Sequence, residues 1–306
     1  MARGFLPGQS ATLWVYDLET DAARRVLGSG TLLFEAPNWT PDGTALVVNG
    51  GGRLFRVPAP GAGDGPAAGD AVLTEIDLGG IPEINNDHVV APDGSAVYVS
   101  AEDGHLYAVP LDGSGPRRVS HDRGDFQHYL HGVSADGATL AYIGLSWDGD
   151  RRVTNVYLLP LGDGTGGEDV QLTDDVFQDD GSEFGLGTDG AEWVYFNSER
   201  AGGAAGHAQL FRMRPDGTSV TQLTDDERVN WFPHPSPDGR SLVYVSFPPG
   251  TLGHPDNVAD VRLRLTTPAG GTGRDLVTVF GGQGAMNVGS WAPDSRRFAY
   301  VEYSGA

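Results

Sequence analysis

Three histidines stand four or five residues before a recurring Asp-Gly turn: His88, His131 and His234. His88 and His131 occupy the same position relative to their turns, so we expect them at equivalent places on neighbouring strands. Three imidazoles that converge are a typical ligand set for Zn, Mn, Fe or Ni. These residues predict a divalent-metal site, and the competing interpretation of each histidine is a structural role in its strand.

Carboxylates near these histidines allow a different metal. Asp87, Asp179, Asp180 and Glu183 would, together with amide oxygens, supply the all-oxygen environment that Ca²⁺ prefers. The sequence contains no EF-hand loop that would decide the matter. The identity of the predicted metal therefore stays open between Zn, Mn and Ca.

Acid and base groups accompany the histidines. Glu35 and Glu183 stand seven and six residues before their turns, and with His131 they are the candidates for moving a proton in catalysis. We expect a substrate to be held by polar and aromatic residues of the same segments: Asn86, Asp180, Asn230, Trp231, Gln283 and Asn287. Trp147 and His254 lie in longer connections that could wall the same pocket.

The elements that position these residues repeat along the chain. A turn phrase recurs roughly every 50 residues, and an apolar run follows each copy. The six copies are Pro41-Asp42-Gly43, Pro92-Asp93-Gly94, Ala135-Asp136-Gly137, Thr188-Asp189-Gly190, Pro237-Asp238-Gly239 and Pro293-Asp294-Ser295. Such a period predicts a repeat architecture, in which each unit buries its face against its neighbours.

One complete unit can be read over residues 35–80. Its inner strand ends at Trp39-Thr40, and the turn is followed by strands at Ala45–Asn49, Leu54–Pro58 and Val72–Leu78. Apolar and β-branched runs between Gly, Pro and Asp turns are typical of antiparallel strands. Four antiparallel strands in each of six units predict an all-β, six-bladed β-propeller, a single domain over residues 1–306.

The two ends of the chain each supply half of a unit. Strands are predicted at Ala11–Leu18 and Ala22–Leu27, and at Asn287–Trp291 and Phe298–Tyr303. We expect blade 6 to be shared between residues 10–28 and 285–304, because closure removes exposed sheet edges. The Asp-Gly turns then lie on one face of the disc. The opposite face carries the more varied loops, and we expect the site there.

Composition excludes several classes of function. The 306 residues carry a net charge of −21, all twenty basic residues are arginine, and cysteine is absent. This charge repels nucleic acid and anionic membranes, so neither is an expected partner. Without cysteine or lysine there is no thiolate, disulfide or Schiff-base chemistry. No signal peptide or transmembrane span can be read, so we expect a cytoplasmic protein.

Several segments carry a resemblance to a known family. Trp39-Thr40-Pro41-Asp42-Gly43, Ser236-Pro237-Asp238-Gly239 and Gln222-Leu223-Thr224 resemble the TolB-type, WD40-like propeller repeat, and the resemblance covers essentially the whole chain. It implies a six-bladed propeller of a kind found in bacterial Tol-complex proteins, prolyl oligopeptidases and oligogalacturonate lyases. The chain departs from TolB proper in lacking an N-terminal α/β domain, and from the peptidases in lacking a hydrolase elbow.

Three functions follow as hypotheses. The first is an enzyme, a metal-dependent lyase or hydrolase that acts on a small carbohydrate-derived or carboxylated substrate in the central channel. The distant resemblance to oligogalacturonate lyases, which use a histidine-held metal, implies lyase chemistry as one option. The second is a non-catalytic propeller that binds a protein partner or a ligand on the channel face. The third is a structural domain with a cation in the channel.

Overall fold

The computed structural model describes residues 3–61, 71–162 and 166–304. The ends of the predicted domain, residues 1–2 and 305–306, lie outside this part. Within the described residues, 23 strands form six antiparallel sheets. The predicted all-β, six-bladed propeller is confirmed. The same residues contain no helix that is both long and apolar enough to cross a membrane.

Blades 1 to 3 each contain four strands, numbered in chain order. Blade 1 consists of β3 (Glu35–Trp39), β4 (Ala45–Gly50), β5 (Arg53–Pro58) and β6 (Thr74–Ile76). Blade 2 consists of β7 (Ile84–Val90), β8 (Ala96–Ala101), β9 (Leu106–Pro110) and β10 (Arg117–Arg118). Blade 3 consists of β11 (Gln127–Val133), β12 (Thr139–Asp148), β13 (Arg151–Pro160) and β14 (Val170–Gln171).

The remaining blades complete the disc. Blade 4 consists of β15 (Asp179–Leu186), β16 (Glu192–Ser198), β17 (Gln209–Met213) and β18 (Thr221–Gln222). Blade 5 consists of β19 (Val229–Pro235), β20 (Leu242–Phe247), β21 (Val258–Thr267) and β22 (Gly270–Gly281). Blade 6 consists of β23 (Arg297–Tyr303), β1 (Ala11–Asp17) and β2 (Ala22–Ser29).

Blade 6 closes the disc by joining the two ends of the chain. β1 pairs with β23 along its whole length, from Ala11 opposite Tyr303 to Asp17 opposite Arg297. The strand predicted at 287–291 is reduced to one bridge, between Trp291 and Phe298. The preceding segment instead forms a short 3-10 turn at Gln283–Ala285. This turn directs the Asn287 side chain towards blade 2 rather than into a regular ladder.

The repeated turns owe their shape to their aspartate and glycine. In the first turn, the Asp42 carboxylate accepts hydrogen bonds from the Thr40 hydroxyl at 2.6 Å and from the Thr44 amide at 3.0 Å. Gly43 has a φ of 68°, which an L side chain rarely adopts. The second strand, which follows each turn, lies between the first and third strands of its own blade, and β4, β8 and β20 are buried along their whole length.

Each inner strand of blades 1 to 5 carries a bulge. In β3, residues 35 to 38 stand opposite residues 49 to 47, so the inner strand has one extra residue. The corresponding irregularities lie between Ile84 and His88 in β7, and at His131 in β11. β15 and β19 have theirs before Glu183 and before His234. A bulge re-aims the side chains around it, and the bulged residues of β7, β11 and β19 line a cavity at the axis of the disc.

Candidate functional site

A polar cavity of about 250 Å³ lies at the axis on the face opposite the Asp-Gly turns, and we call it the mouth cavity. Blades 2 to 5 and the crossing into blade 6 all contribute to its walls. The lining residues are Asn85, Asn86, Asp87, Tyr129, His131, Ile143, Arg152, Asp180, Phe232, His254, Gln283 and Asn287. The bulges at the starts of the inner strands bring these distant parts of the sequence together.

His131 is the centre of the charged network in the mouth cavity. Its Nε2 lies 2.9 Å from Oδ1 of Asp180, and its Nδ1 lies 3.3 Å from the carbonyl oxygen of Asn287. Both ring nitrogens therefore face acceptors, so both bonds form only when both nitrogens carry a proton. Burial lowers the pKa of His131, but the bond to Asp180 and the charges of Asp87 and Asp180 outweigh it and raise the pKa to about 9.

The two aspartates of the mouth cavity already have partners. Asp87 accepts hydrogen bonds from Asn287 Nδ2 at 2.5 Å and from Asn85 Nδ2 at 2.7 Å. Burial raises the pKa of Asp87, against the charge of His131. Burial also raises the pKa of Asp180, yet the bonds from His131 and His254 outweigh it and hold this pKa well below its ordinary value. Neither carboxylate is free to attract a cation by itself.

Aromatic rings hold His254 against this network. His254 Nε2 lies 3.4 Å from Oδ2 of Asp180, and the ring packs edge-on against Trp231 with a centroid distance of 4.6 Å. Phe232 stacks on His131 at 5.8 Å. Phe232 lies in the β19 bulge with a φ of 53°, a strained conformation for a bulky residue. Trp231 does not line the mouth cavity, and it packs behind His254.

A second polar cavity, of about 230 Å³, adjoins the mouth cavity and shares Asn85, Asn86 and Gln283 with it. It contains Glu35, which is paired with Arg3 Nη1 at 2.5 Å and lies 3.5 Å from the Tyr303 hydroxyl. Burial raises the pKa of Glu35, and the charge of Arg3 opposes this shift. Glu35 is thus an ion-paired carboxylate beside the mouth cavity and is not one of its lining residues.

Glu183 and His234 form a hydrogen-bonded pair next to a cavity on the face of the Asp-Gly turns. His234 Nδ1 donates to Oε2 of Glu183 at 2.6 Å, and His234 Nε2 lies 3.1 Å from the Met286 carbonyl oxygen. Burial raises the pKa of Glu183, against the charge of His234. Glu183 lines a cavity of about 450 Å³ on the face of the Asp-Gly turns, and His131 lines this cavity as well as the mouth cavity.

The predicted three-histidine set does not assemble. His88 is fully buried, its Nε2 lies 3.3 Å from the Val47 carbonyl oxygen, and burial lowers its pKa to about 4. It pairs with Val99 in the regular ladder, whereas His131 is itself the bulged residue of its strand. Two residues that stand the same number of positions before their turns can therefore have side chains that point in different directions. In residues 3–61, 71–162 and 166–304, no group of three His, Cys, Asp or Glu side chains could hold a metal ion.

The other predicted site residues divide between the cavity and its surroundings. The mouth cavity brings together Asn86, Asp180, Gln283, Asn287 and His131. Asn230 instead lies fully buried within blade 5, where its amide donates to Gln209 at 3.0 Å and to Asp226 at 3.2 Å. The residues present do not fit the predicted metal, so we derive no chemistry from one. The metal stays a prediction.

Reasoning from the sequence missed Arg152 and Asn85. Arg152 is the second residue of β13, where it stands opposite Trp147 in the long β12–β13 hairpin, and it lines the mouth cavity. In the described part of the chain, its guanidinium has no hydrogen-bond or ion-pair partner. The position of Arg152 in the sequence could have identified it, because it lies in a connection between a second and a third strand. Connections of this kind are expected to line the pocket.

Fold and cavity together define a closed six-bladed propeller with a polar axial site on its loop face. No family model matches the chain. An uncharacterised protein of Agrobacterium fabrum is 36% identical over 303 residues, which cover 97% of this chain and 94% of that protein. A solved structure from Agrobacterium tumefaciens, described provisionally as TolB, superposes with a TM-score of 0.84 at 35% identity, over 98% of this chain and 100% of that one.

The chain belongs to the TolB-like family of β-propellers. An oligogalacturonate lyase solved in complex with manganese has the same fold, with a TM-score of 0.57 at 16% identity, over 91% of this chain and 75% of that one. The resemblance read from the sequence is thus confirmed for the family. The similarity to the lyase is one of fold.

Proposed function

We propose that the mouth cavity binds a small hydroxylated acid, such as a sugar acid. The observation that carries the proposal is that the mouth cavity contains hydrogen-bond donors without partners among the described residues, whereas its carboxylates are paired. Its carboxylates are saturated by His131, His254 and amide donors. The remaining groups include Asn86 Nδ2, which is buried without a partner among the described residues, and the guanidinium of Arg152.

Unpaired donors favour a ligand that is rich in acceptors. A buried amide N–H without a partner costs about 1–3 kcal/mol, and a ligand oxygen would recover this cost. An arginine presents a planar fork that matches a carboxylate in two parallel hydrogen bonds. The side-chain amides of Gln283 and Asn85 each have a donor and an acceptor. Hydroxyl groups of the same ligand can pair with both, because a hydroxyl group also donates and accepts.

Arg152 also gives the mouth cavity a charge unlike that of the whole chain. The net charge of −21 repels anions, so an anionic ligand needs a local cation. His131 supplies one charge, but its two ring nitrogens are occupied. Arg152 supplies a second charge whose donors are open. We therefore assign the acid group of the ligand to Arg152 and its hydroxyl groups to the amides.

Calorimetric titration with D-glucuronate and D-glucose tests this assignment, because the two sugars differ at one carboxylate. We expect glucuronate to bind more tightly than glucose, and Arg152→Gln to weaken glucuronate binding about tenfold. Arg151→Gln is the matched control, since Arg151 lies on the same hairpin, is exposed and pairs with Asp148 at 3.4 Å. No binding of glucuronate, or equal binding by the Arg152→Gln variant, would overturn the assignment.

A second candidate is acid–base catalysis on the bound ligand, of the lyase or hydrolase type. It is favoured by two buried titratable groups whose pKa values are both raised: His131, through its bond to Asp180 and despite burial, and Asp87, through burial. Groups perturbed in this way are candidates for proton transfer. As the acid, His131 would transfer to the ligand the Nδ1 proton that otherwise faces the Asn287 carbonyl at 3.3 Å. Glu35 and Glu183 do not line the mouth cavity.

Catalysis is tested by following glycosides of glucuronate for release of the leaving group or for the absorbance of an unsaturated sugar. A catalytic His131 predicts that His131→Asn abolishes turnover while glucuronate still binds. Binding without turnover of any glycoside would leave the ligand-binding function and remove the catalytic one.

A further inference from the structure

A further cavity of the disc, which shares His131 with the mouth cavity, lies on the face of the Asp-Gly turns, and we call it the turn-face funnel. It has a volume of about 450 Å³, a size that suits a small organic ligand. Its rim is built by prolines of the repeated turns, Pro41, Pro92, Pro237 and Pro293. Its floor is formed by Glu183 and His131.

The rim is apolar and preassembled. Proline has no backbone N–H, so these positions offer no donor to a ligand. The turns also touch from blade to blade, because a Cβ on Gly43 would lie 3.7 Å from the ring of Pro293, and one on Gly94 would lie 3.8 Å from the ring of Pro41. Such a ring of contacts fixes the shape of the funnel before a ligand arrives, which lowers the entropic cost of binding.

The floor of the funnel presents an open carboxylate oxygen. Oε2 of Glu183 accepts from His234, but Oε1 has no donor among the described residues. Gly289 is what leaves this atom accessible, because a Cβ at that position would lie only 2.7 Å from Oε1. His131 cannot supply a donor, since its nitrogens serve Asp180 and Asn287.

The charge of the funnel is complementary to a cation. The carboxylate of Glu183 lies at the floor, and no arginine is among the described residues that line the funnel. The positive ring of His131 also lies at the floor, but both of its nitrogens are directed to Asp180 and to the Asn287 carbonyl. The Trp291 indole donates to the His234 carbonyl at 2.9 Å, whereas the Trp39 indole N–H is buried without a partner among the described residues. The chain's net charge of −21 adds a long-range attraction for cations.

We propose that the turn-face funnel binds a small organic ammonium ion with an apolar body. The ammonium group donates to Oε1 of Glu183, and the apolar body contacts the prolines of the rim and Leu186. A charge-assisted hydrogen bond in a partly water-excluded site is about twice as strong as a neutral one. The funnel therefore selects an amine over an alcohol of the same shape.

Binding of 2-phenylethylamine, compared with 2-phenylethanol, tests this proposal by calorimetry on the full chain. We expect the amine to bind more tightly than the alcohol, and Glu183→Gln to weaken the amine about tenfold while leaving the alcohol unchanged. Glu192→Gln is the matched control at the rim and should change amine binding less than about twofold.

Gly289→Ala gives a second test that does not alter the charge. The backbone of Gly289 is not in the left-handed region, so alanine suits the backbone, and its methyl group, 2.7 Å from Oε1, would block or displace this atom. We expect the same loss of amine affinity as in Glu183→Gln. Absence of saturable amine binding by the unaltered protein, or unchanged binding in both variants, would overturn the proposal. Glucuronate binding in the mouth cavity reports separately, so failure at one face is distinguishable from failure at the other.

Discussion

The pair formed by His131 and Asp180 predicts that the protein loses stability in mild alkali. The pKa of His131 is raised to about 9 from its ordinary 6.5, because the bond to Asp180 and the charge of Asp87 outweigh burial. A group whose folded pKa is raised stabilises the fold fully below its unfolded pKa. That contribution is lost as the pH rises through the folded pKa.

The size of the effect follows from the shift. A difference between 6.5 and about 9 corresponds to about 3 kcal/mol of folding free energy, since each unit of pKa is worth about 1.4 kcal/mol. At pH 7 the His131 imidazole of the unfolded chain is mostly deprotonated, so part of this stabilisation is already lost. Between pH 7 and pH 9.5 we expect a loss of about 2 kcal/mol. His131 is 3% exposed, so solvent screening reduces this value little.

Other titrating groups fall mainly outside this pH window. Burial lowers the pKa of His88 and of His128 to about 4, so their effect on stability is complete by about pH 6.5. Burial raises the pKa of Tyr16 and of Tyr107 to about 12, and it also raises the pKa of the other eight tyrosines. Their ionisation in the unfolded chain begins at about pH 9.5 and adds a small loss from each. His131 is therefore the largest single contribution to the slope between pH 7 and 9.5.

Urea unfolding at pH 7 and at pH 9.5 measures this slope. In His131→Asn the loss between pH 7 and pH 9.5 should be smaller by about 2 kcal/mol, and the variant should be less stable at pH 7 because Asp180 and Asp87 lose their cation. His121→Asn is the control, since His121 is exposed and, among the described residues, bonds the Gly167 carbonyl at 2.8 Å. Stability that is flat or rising over this window, or an undiminished slope in His131→Asn, would refute the reasoning.

Three further predictions concern closure, the neighbouring cavity and the metal. Leu13 in β1 is fully buried, so Leu13→Ala should lower the free energy of unfolding by about 2–5 kcal/mol in urea titrations, and a smaller loss would argue against closure by β1. A Cβ on Gly284 would lie 2.0 Å from Oε1 of Glu35, so Gly284→Ala should destabilise the fold by about 1–3 kcal/mol in the same assay, and a neutral result would show that Glu35 is free to move. His88→Ala should leave the content of Zn, Mn and Ca unchanged by elemental analysis; loss of bound metal would restore the predicted histidine set.

The fold could be predicted because its signals are local. Each turn needs an aspartate that caps its own backbone and a residue with positive φ, as Asp42 and Gly43 show, and in the sixth turn Ser295 takes the place of glycine. These residues mark every blade, so the number of blades follows from counting them. The prediction of a strand at 287–291 was wrong, because a glycine-rich turn precedes this segment. Its backbone crosses between blades and forms a single bridge, between Trp291 and Phe298.

The site could be predicted only in part, because its geometry depends on bulges. Counting back from the turns assumes that each inner strand is regular. β7 has two extra residues before His88, and β11 has one at His131, so residues at equal distances from the turn point in different directions. Periodicity carries no record of these insertions. Arg152 lies far along the chain from the inner-strand starts, and only the closed disc brings it to the axis.

The mouth cavity as a binding site for a hydroxylated acid is tested most directly by a crystal structure grown with saturating D-glucuronate. We predict the sugar in the mouth cavity, with its carboxylate within hydrogen-bond distance of the Arg152 guanidinium and a ring hydroxyl or oxygen accepting from Asn86 Nδ2. A mouth cavity that contains only water under these conditions, or a sugar bound at another place on the disc, would contradict the account.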